Sequence, residues 1–300
     1  MKKNKVLHLI TSFKRGGRER QLCNIIKFSK NKNIENLVVY FNDIDNSYID
    51  EYDFQDRLIK IDGKSFINRL KQLIYIINKI KPDFIYSWGN FESIFVFLIK
   101  PFNNFIFING SVRHGIPPNK ISHYFRKVLL HISKYIIANS EAGLRANNLR
   151  RGFVLYNGVI DDLLKVKIHN KPKYINSKTF SLNLISIANL VPYKDYLTVF
   201  DVLYELKNES IKFNYIILGD GPMEKHLQMK ISEYGLTNHI KILGNVTNVK
   251  DYLSKSDLLI HSSKGEGCSN AILEAMACGL PILASNTGGT NEIVDESNGW

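Results

Sequence analysis

The sequence predicts an α/β chain of two Rossmann-like βαβ domains in tandem. Short apolar runs of strand length alternate with amphipathic runs of helix length along the whole chain. The 300 residues suffice for two domains, each with its own core. A polar, non-periodic stretch at 161–178 separates the two alternating halves. The expected division is a first domain over 1–165, a linker over 166–180 and a second domain over 181–300.

In the first half, residues 5–11 read as a buried strand. A loop at 12–17 follows, then a helix at about 18–29 with Leu22, Ile25 and Ile26 on one face. Gly16 and Gly17 close that loop as a phosphate-side turn would, although GGRE is neither G-x-G-x-x-G nor a Walker A. Further strands are expected at 36–41, 57–61, 83–88, 105–109, 135–139 and 153–156. Helices are expected at 66–80, 91–99, 118–132 and 141–149. Such alternation implies right-handed crossovers and a mostly parallel sheet, whose ligands bind beyond the carboxyl ends of the strands. Gly16, Trp88, residues 110–114 and Ser140 all follow predicted strands and should line that edge. His114 is either a solvated loop residue or a polar ligand contact, and Arg113 beside it suits a phosphate.

The second half opens with a strand at 183–188 and a helix at about 196–208. Lys194 lies between them, a good place for a diphosphate. A G-D-G-P turn at 219–222 reads as mainly structural. Strands at 240–244 and 257–262 precede the densest stretch, GEGCSNAILEAMACGLPILASNTGGTNEIV at 265–294. There Glu266 and Glu274 stand with seven residues between them. Ser269 is placed to cap a helix at 270–278, Gly279 to end it, and Pro281 to open a strand at 281–284. Glu274 is alone among apolar neighbours. It lies either on a narrow solvated stripe or toward ligand hydroxyls, since an unpartnered buried carboxylate is costly. The turn through Gly267, Cys268, Ser269 and Asn270 exposes backbone N–H groups that suit a phosphate.

This stretch resembles the E-x7-E signature of the retaining glycosyltransferases of the GT-B fold, in the large family-four group (glycosyl transferases group 1). The words EGCSN, LEAMACGLP and SNTGGTNEIV carry the likeness, and G-G-x-E at Gly16, Gly17 and Glu19 and N-G-V at 157–159 extend it more thinly. The resemblance implies two Rossmann-like domains facing across a cleft, acceptor on the first side and nucleotide sugar on the second. It implies that Glu266 contacts the transferred sugar and Glu274 the nucleotide ribose. It places Lys194 on the leaving diphosphate, Val246 in the loop that holds the base, and His114 near the sugar. Where the family has an arginine five residues before this lysine, the sequence has Asn189, so one positive charge is missing or is replaced from elsewhere. The family continues past this point with closing helices, so the second domain is expected to be cut short.

The implied reaction moves a sugar from a nucleotide diphosphate sugar to an acceptor hydroxyl with retained configuration. The implied acceptor is a saccharide or lipid-linked saccharide, in bacterial surface polysaccharide or glycolipid synthesis. No cofactor and no metal are expected: there is no Asp-x-Asp pair and no His/Cys cluster at ligand spacing. A nucleotide-sugar epimerase would use the same fold and donor without an acceptor. A basic nucleic-acid-binding protein would need aromatics at stacking positions, whereas Tyr and Phe here follow core patterns.

Charge is unevenly placed. Residues 1–170 hold 28 Lys and Arg against 14 Asp and Glu (+14), and residues 171–300 hold 12 against 14 (−2). Every arginine precedes Gly152. The imbalance is either compositional drift or a surface for something anionic, such as a membrane or a phosphate-bearing acceptor. No apolar run reaches the ~18 residues of a membrane helix. Cys23, Cys268 and Cys278 lack metal spacing and fit a reducing compartment. The expected location is the cytoplasm, including a peripheral place on the inner membrane face.

Overall fold

The computed structural model describes residues 3–14, 16–30, 32–45, 52, 55–113, 121–159, 161–164 and 181–300, without the side chains of 121–125, 161 and 162. Contacts divide the chain into two units, Met1–Tyr156 and Asn157–Trp300. The expected linker, 166–180, lies outside the described residues.

The first unit runs β1 (Asn4–Ile10), α1 (Gly17–Ser29), β2 (Ile34–Tyr40), β3 (Leu58–Lys60), α2 (Phe66–Ile80), β4 (Phe84–Ser87), α3 (Asn90–Ile99), β5 (Ile106–Val112), α4 (Ile121–Ile132), β6 (Tyr135–Ala138), α5 (Glu141–Ala146) and β7 (Phe153–Val154). Its strands pair in the order β3-β2-β1-β4-β5-β6-β7, all parallel. Strand order reverses between β1 and β4, the switch point where such sheets bind ligands.

Alternation along each strand feeds two cores. Leu7, Leu9, Val39 and Ile85 pack on one face with α2 and α3. Ile10, Val38, Tyr40, Tyr86 and Trp88 pack on the other with Leu22, Cys23 and Ile26 of α1. Burial on both faces is what a parallel sheet requires, and it explains why the strands read as nearly continuous apolar runs. Helix starts follow local rules. Ser65 accepts from Asn68 N at 3.2 Å and Ser140 from Gly143 N at 3.1 Å.

One boundary differs in kind. The sequence ends the fifth strand at Asn109 and puts 110–112 in a loop. β5 instead continues to Val112, which pairs with Ala138 after a register shift beyond Asn109. Asn109 Oδ1 accepts from Ser111 Oγ at 2.8 Å and holds the irregularity together. This side-chain bond is invisible to periodicity.

His8 is a polar residue inside this unit's core, 1% exposed. Trp88 Nε1 donates to its Nδ1 at 3.1 Å, so Nε2 carries the proton and donates to Asn36 Oδ1 at 3.0 Å. Burial lowers its pKa to about 4, against the pull of the Asn36 hydrogen bond. The unfolded chain takes up this proton near 6.5 and the folded one only near 4. Its stabilising effect is therefore complete above 6.5 and lost as pH falls toward 4, by roughly 2–3 kcal/mol. Urea unfolding of wild type and His8→Leu at pH 7.5 and 4.5 checks this. The gap between the two proteins should narrow at the lower pH, and a constant gap refutes it.

The second unit runs α6 (Asp161–Leu164), β8 (Leu182–Ile187), α7 (Tyr196–Asn208), β9 (Phe213–Leu218), α8 (Glu224–Glu233), β10 (Ile240–Ile242), α9 (Val249–Leu253), β11 (Leu258–His261), α10 (Asn270–Ala277) and β12 (Ile282–Ala284). Its parallel sheet has the order β10-β9-β8-β11-β12, with the same reversal, here between β8 and β11. Leu184, Tyr215, Ile217 and Ile260 face α7 and α8. Ile185, Leu218, Leu259 and Ile282 face α10. Residues 161–164, the start of the polar stretch between the two halves, form α6 in the second unit. Leu163 joins the α10 core, and its carbonyl lies 3.9 Å from Cys278 Sγ. Two adjacent leucines in a charged stretch were the available signal.

Candidate active site on the second sheet

The reversal between β8 and β11 opens a place at the carboxyl edge of the second sheet. After β8 the chain makes a single 3₁₀ turn, Pro192–Lys194, and Lys194 is 8% exposed at its end. After β11 it reaches Glu266. Lys194 Nζ and Glu266 Oε2 form a close, charge-assisted ion pair. Burial would raise the Glu266 pKa, but His261 and the charge on Lys194 outweigh it and hold it at about 2. Glu266 is therefore an anion throughout the physiological range.

His261, the last residue of β11, places Nε2 3.4 Å from the same Oε2. The approach is electrostatic, because Nε2 has no aligned hydrogen-bond partner among the described residues. Burial lowers the His261 pKa, the Glu266 carboxylate pulls it up, and Lys194 pushes it down. Sequence reading missed His261. As a single His ending an apolar strand it carried no signal except its place on the edge where ligands bind.

The loop carrying Glu266 is fixed by the T-G-G-T turn that follows β12. Gly289 N donates to Glu266 O at 2.8 Å, and Thr287 Oγ1 donates to Ser263 O at 2.8 Å. Gly288 has φ 59°, and a Cβ there would fall 2.1 Å from Glu266 O. Only glycine fits that approach.

The signature helix α10 begins after Ser269, which occupies the N-cap position but makes no side-chain cap bond. Asn157 contributes there instead. Its Nδ2 donates to Cys268 O at 2.7 Å and to Asn270 Oδ1 at 2.8 Å. The N-G-V word, read as closing the first domain, thus ties the start of the second unit to its signature helix. The helix ends as expected, with Gly279 at φ 72°. Leu280 N bonds to Ala275 O and Gly279 N to Met276 O, a Schellman ending. Glu274 is 3% exposed on the α10 face that carries Ala271, Ile272 and Ala275. That excludes the solvated-stripe alternative.

Of the other expected site residues, Gly267, Cys268 and Ser269 are buried, Asn270 is half-buried and Asn189 is exposed. Val246 is half-buried against the α10 core. The second unit contains no arginine, so none there replaces the charge absent at Asn189. The G-D-G-P turn supports the backbone ahead of Lys194: Leu190 N donates to Asp220 O at 2.7 Å and Met223 N to Leu190 O at 3.0 Å.

Gly16 and Gly17 lie in the first unit, at the start of α1. Glu19 Oε2 occupies the space a side chain on Gly16 would need, 2.4 Å from its Cβ position, so a protein carboxylate already sits at this helix start. Glu92 of α3, fully buried beside it, accepts from Thr11 Oγ1 at 2.6 Å, and burial raises its pKa. Arg113 stacks over the Trp88 ring at 4.3 Å and donates from Nε to Gly110 O at 3.1 Å. His114 lies outside the described residues. Among the described residues no group of three or more His, Cys, Asp or Glu side chains is placed to hold a metal ion.

Residues 169–300 match the family described as glycosyl transferases group 1. The uncharacterized glycosyltransferase MJ1178 of Methanocaldococcus jannaschii is 29% identical over 174 residues, which are 57% of this chain and 44% of that protein. The putative colanic acid biosynthesis glycosyltransferase WcaL of Escherichia coli K12 is 31% identical over 138 residues, 43% of this chain and 34% of that protein. These alignments thus span less than half of each relative. In fold, the chain is similar to Anabaena Alr3699/HepE, solved in complex with UDP, at a TM-score of 0.77 and 23% identity, over 99% of this chain and 85% of that one. Sucrose-phosphate synthase of Thermosynechococcus elongatus gives a TM-score of 0.81 at 14% identity, over 99% and 85%. The two parallel α/β sheets have the GT-B fold, and residues 169–300 are similar to the glycosyl transferases group 1 family.

Proposed function

We propose that the chain transfers a sugar from a nucleotide diphosphate sugar to an acceptor hydroxyl with retention of configuration. The observation that carries this reading is the convergence of Lys194 and Glu266 at the switch point of the second sheet. In the proposed reaction Lys194 and the N–H groups at the start of α10 stabilise the leaving diphosphate. Ionised Glu266 accepts hydrogen bonds from the transferred sugar. Buried Glu274 accepts from the ribose diol, with Val246 and its loop beside the base. The leaving phosphate oxygen takes the acceptor proton, so no side chain acts as nucleophile and no metal is required. The UDP in HepE and the name of WcaL, a putative colanic acid biosynthesis glycosyltransferase, support a nucleotide sugar donor and a saccharide acceptor. The reading takes this acceptor as lipid-linked or free, in surface polysaccharide or glycolipid synthesis at the cytoplasmic face of a membrane. A thermal-shift panel of nucleotide sugars, followed by NMR of the product anomer, tests it. Stabilisation by none of them, or an inverted product, overturns the reading.

The same reading includes an anionic lipid surface as partner of the first unit. Residues 100–156 hold nine Lys and Arg and one acidic residue, Glu141. Phe102 and Phe153, 86% and 69% exposed, lie among them. Among the described residues no helix is long and apolar enough to cross a membrane. Each well-placed basic residue contributes about 1 kcal/mol near an anionic surface, screened by salt. The protein should therefore sediment with anionic vesicles at low salt and not with neutral ones. Equal sedimentation with both leaves compositional drift as the account of the charge.

A further inference from the structure

His261 is 3% exposed, and its buried Nε2 has no aligned hydrogen-bond partner among the described residues. It stands 3.4 Å from the one carboxylate oxygen, Glu266 Oε2, that also receives Lys194. Beside Lys194 and His261 lies a cavity of about 10 Å³, room for about one water, lined among others by Ser186, Tyr196, Tyr215 and Ser262. Lys194 thus has two claims on it: the carboxylate that holds it here, and the diphosphate it serves in the reaction proposed above. Drawing it away leaves a largely buried carboxylate without its countercharge, which is strongly destabilising unless another group takes over.

We propose that His261 is the positioning residue of this site: when an anionic ligand draws Lys194 away, His261 takes its place on Glu266 and gains a proton from solvent in doing so. The inference rests on reading Lys194 as a diphosphate contact. The other groups around His261 do not compete for the role. Tyr215 from β9 and Tyr196 from α7 are pushed well above the usual tyrosine range, mainly by burial, and stay neutral. Ser186 from β8 is bonded to Tyr215 at 2.6 Å. On the rim, Lys264 and Asp195 face each other at 3.5 Å. Lys194 disfavours a proton on His261 and Glu266 favours it. Neutralising or removing Lys194 therefore raises the proton affinity of His261, and by reciprocity a ligand that engages Lys194 binds with proton uptake.

Two measurements test the exchange. In the absence of ligand, the imidazole NMR signal of His261, identified by its loss in His261→Gln, should titrate about one pH unit or more higher in Lys194→Met than in wild type. Lys194→Gln serves equally if the Met variant folds poorly. In the second measurement, calorimetry with UDP near pH 7, in two buffers of different ionisation enthalpy, should show greater proton uptake by wild type than by His261→Gln. Superimposable titrations in the first measurement, or equal proton uptake in the second, overturn the proposal. If UDP binds neither protein while the Lys194 variant shows the shift, the partner exchange stands and the nucleotide reading of the site fails.

Discussion

Glu266→Gln is expected to lower turnover roughly ten- to a thousand-fold, the loss of ~1.4–4 kcal/mol of transition-state stabilisation. It should leave nucleoside diphosphate affinity at least intact, because Lys194 then loses the carboxylate that competes for its Nζ. Glu274→Gln should do the converse. The buried Glu274 carboxylate accepts from a ribose diol in the proposed complex, and each hydrogen bond to a charged group contributes roughly 1.5–3 kcal/mol. Its loss weakens the bare nucleoside diphosphate as much as the full donor. Titration calorimetry with UDP on both variants, beside steady-state kinetics, separates the roles. Equal loss of affinity in the two, or none in Glu274→Gln, would falsify the division of labour.

Gly288→Ala, at a residue with no proposed ligand contact of its own, should be nearly as damaging as Glu266→Gln. The left-handed φ of 59° is unfavourable for alanine, and its Cβ would overlap the Glu266 carbonyl oxygen. Strain and overlap together cost about 2–5 kcal/mol of stability, unless the backbone of Glu266 moves to relieve them. Either response displaces the carboxylate that Lys194 and His261 hold, and a shift of about 1 Å at a reacting group can lower the rate roughly a hundred-fold. Urea unfolding and turnover measured on the same variant check this. A protein with wild-type stability and turnover would show that the Gly288–Glu266 contact places nothing.

How far the sequence could be read varies from element to element. Helix Tyr196–Asn208 falls where the sequence put it, at about 196–208, because its apolar positions recur at helical spacing. The Gly279 ending and the carboxylate pair were legible for the same reason: the rules that produce them act within one turn of chain. Ser269 was assigned the cap bond of its helix on the same local grounds and does not make it. Asn157, more than a hundred residues earlier, holds that helix start instead.

The sequence by itself determined the α/β class, the succession of strands and helices in the first half, and the stretch with Glu266 and Glu274 that resembles the E-x7-E signature. Burial writes its period of 2 or 3.6 into consecutive residues, so a linear reading recovers it. The tertiary structure alone decided the strand order and its reversal between β8 and β11. That reversal brings Lys194 onto Glu266 across 72 residues of chain and leaves His261 facing the same oxygen. It also decided that Glu274 is buried, that Gly288 braces Glu266 and that Asn157 belongs to the second unit. None of these has a period. Each depends on which distant segments the crossovers set side by side, and on charges whose ionisation is fixed by the partners they meet there.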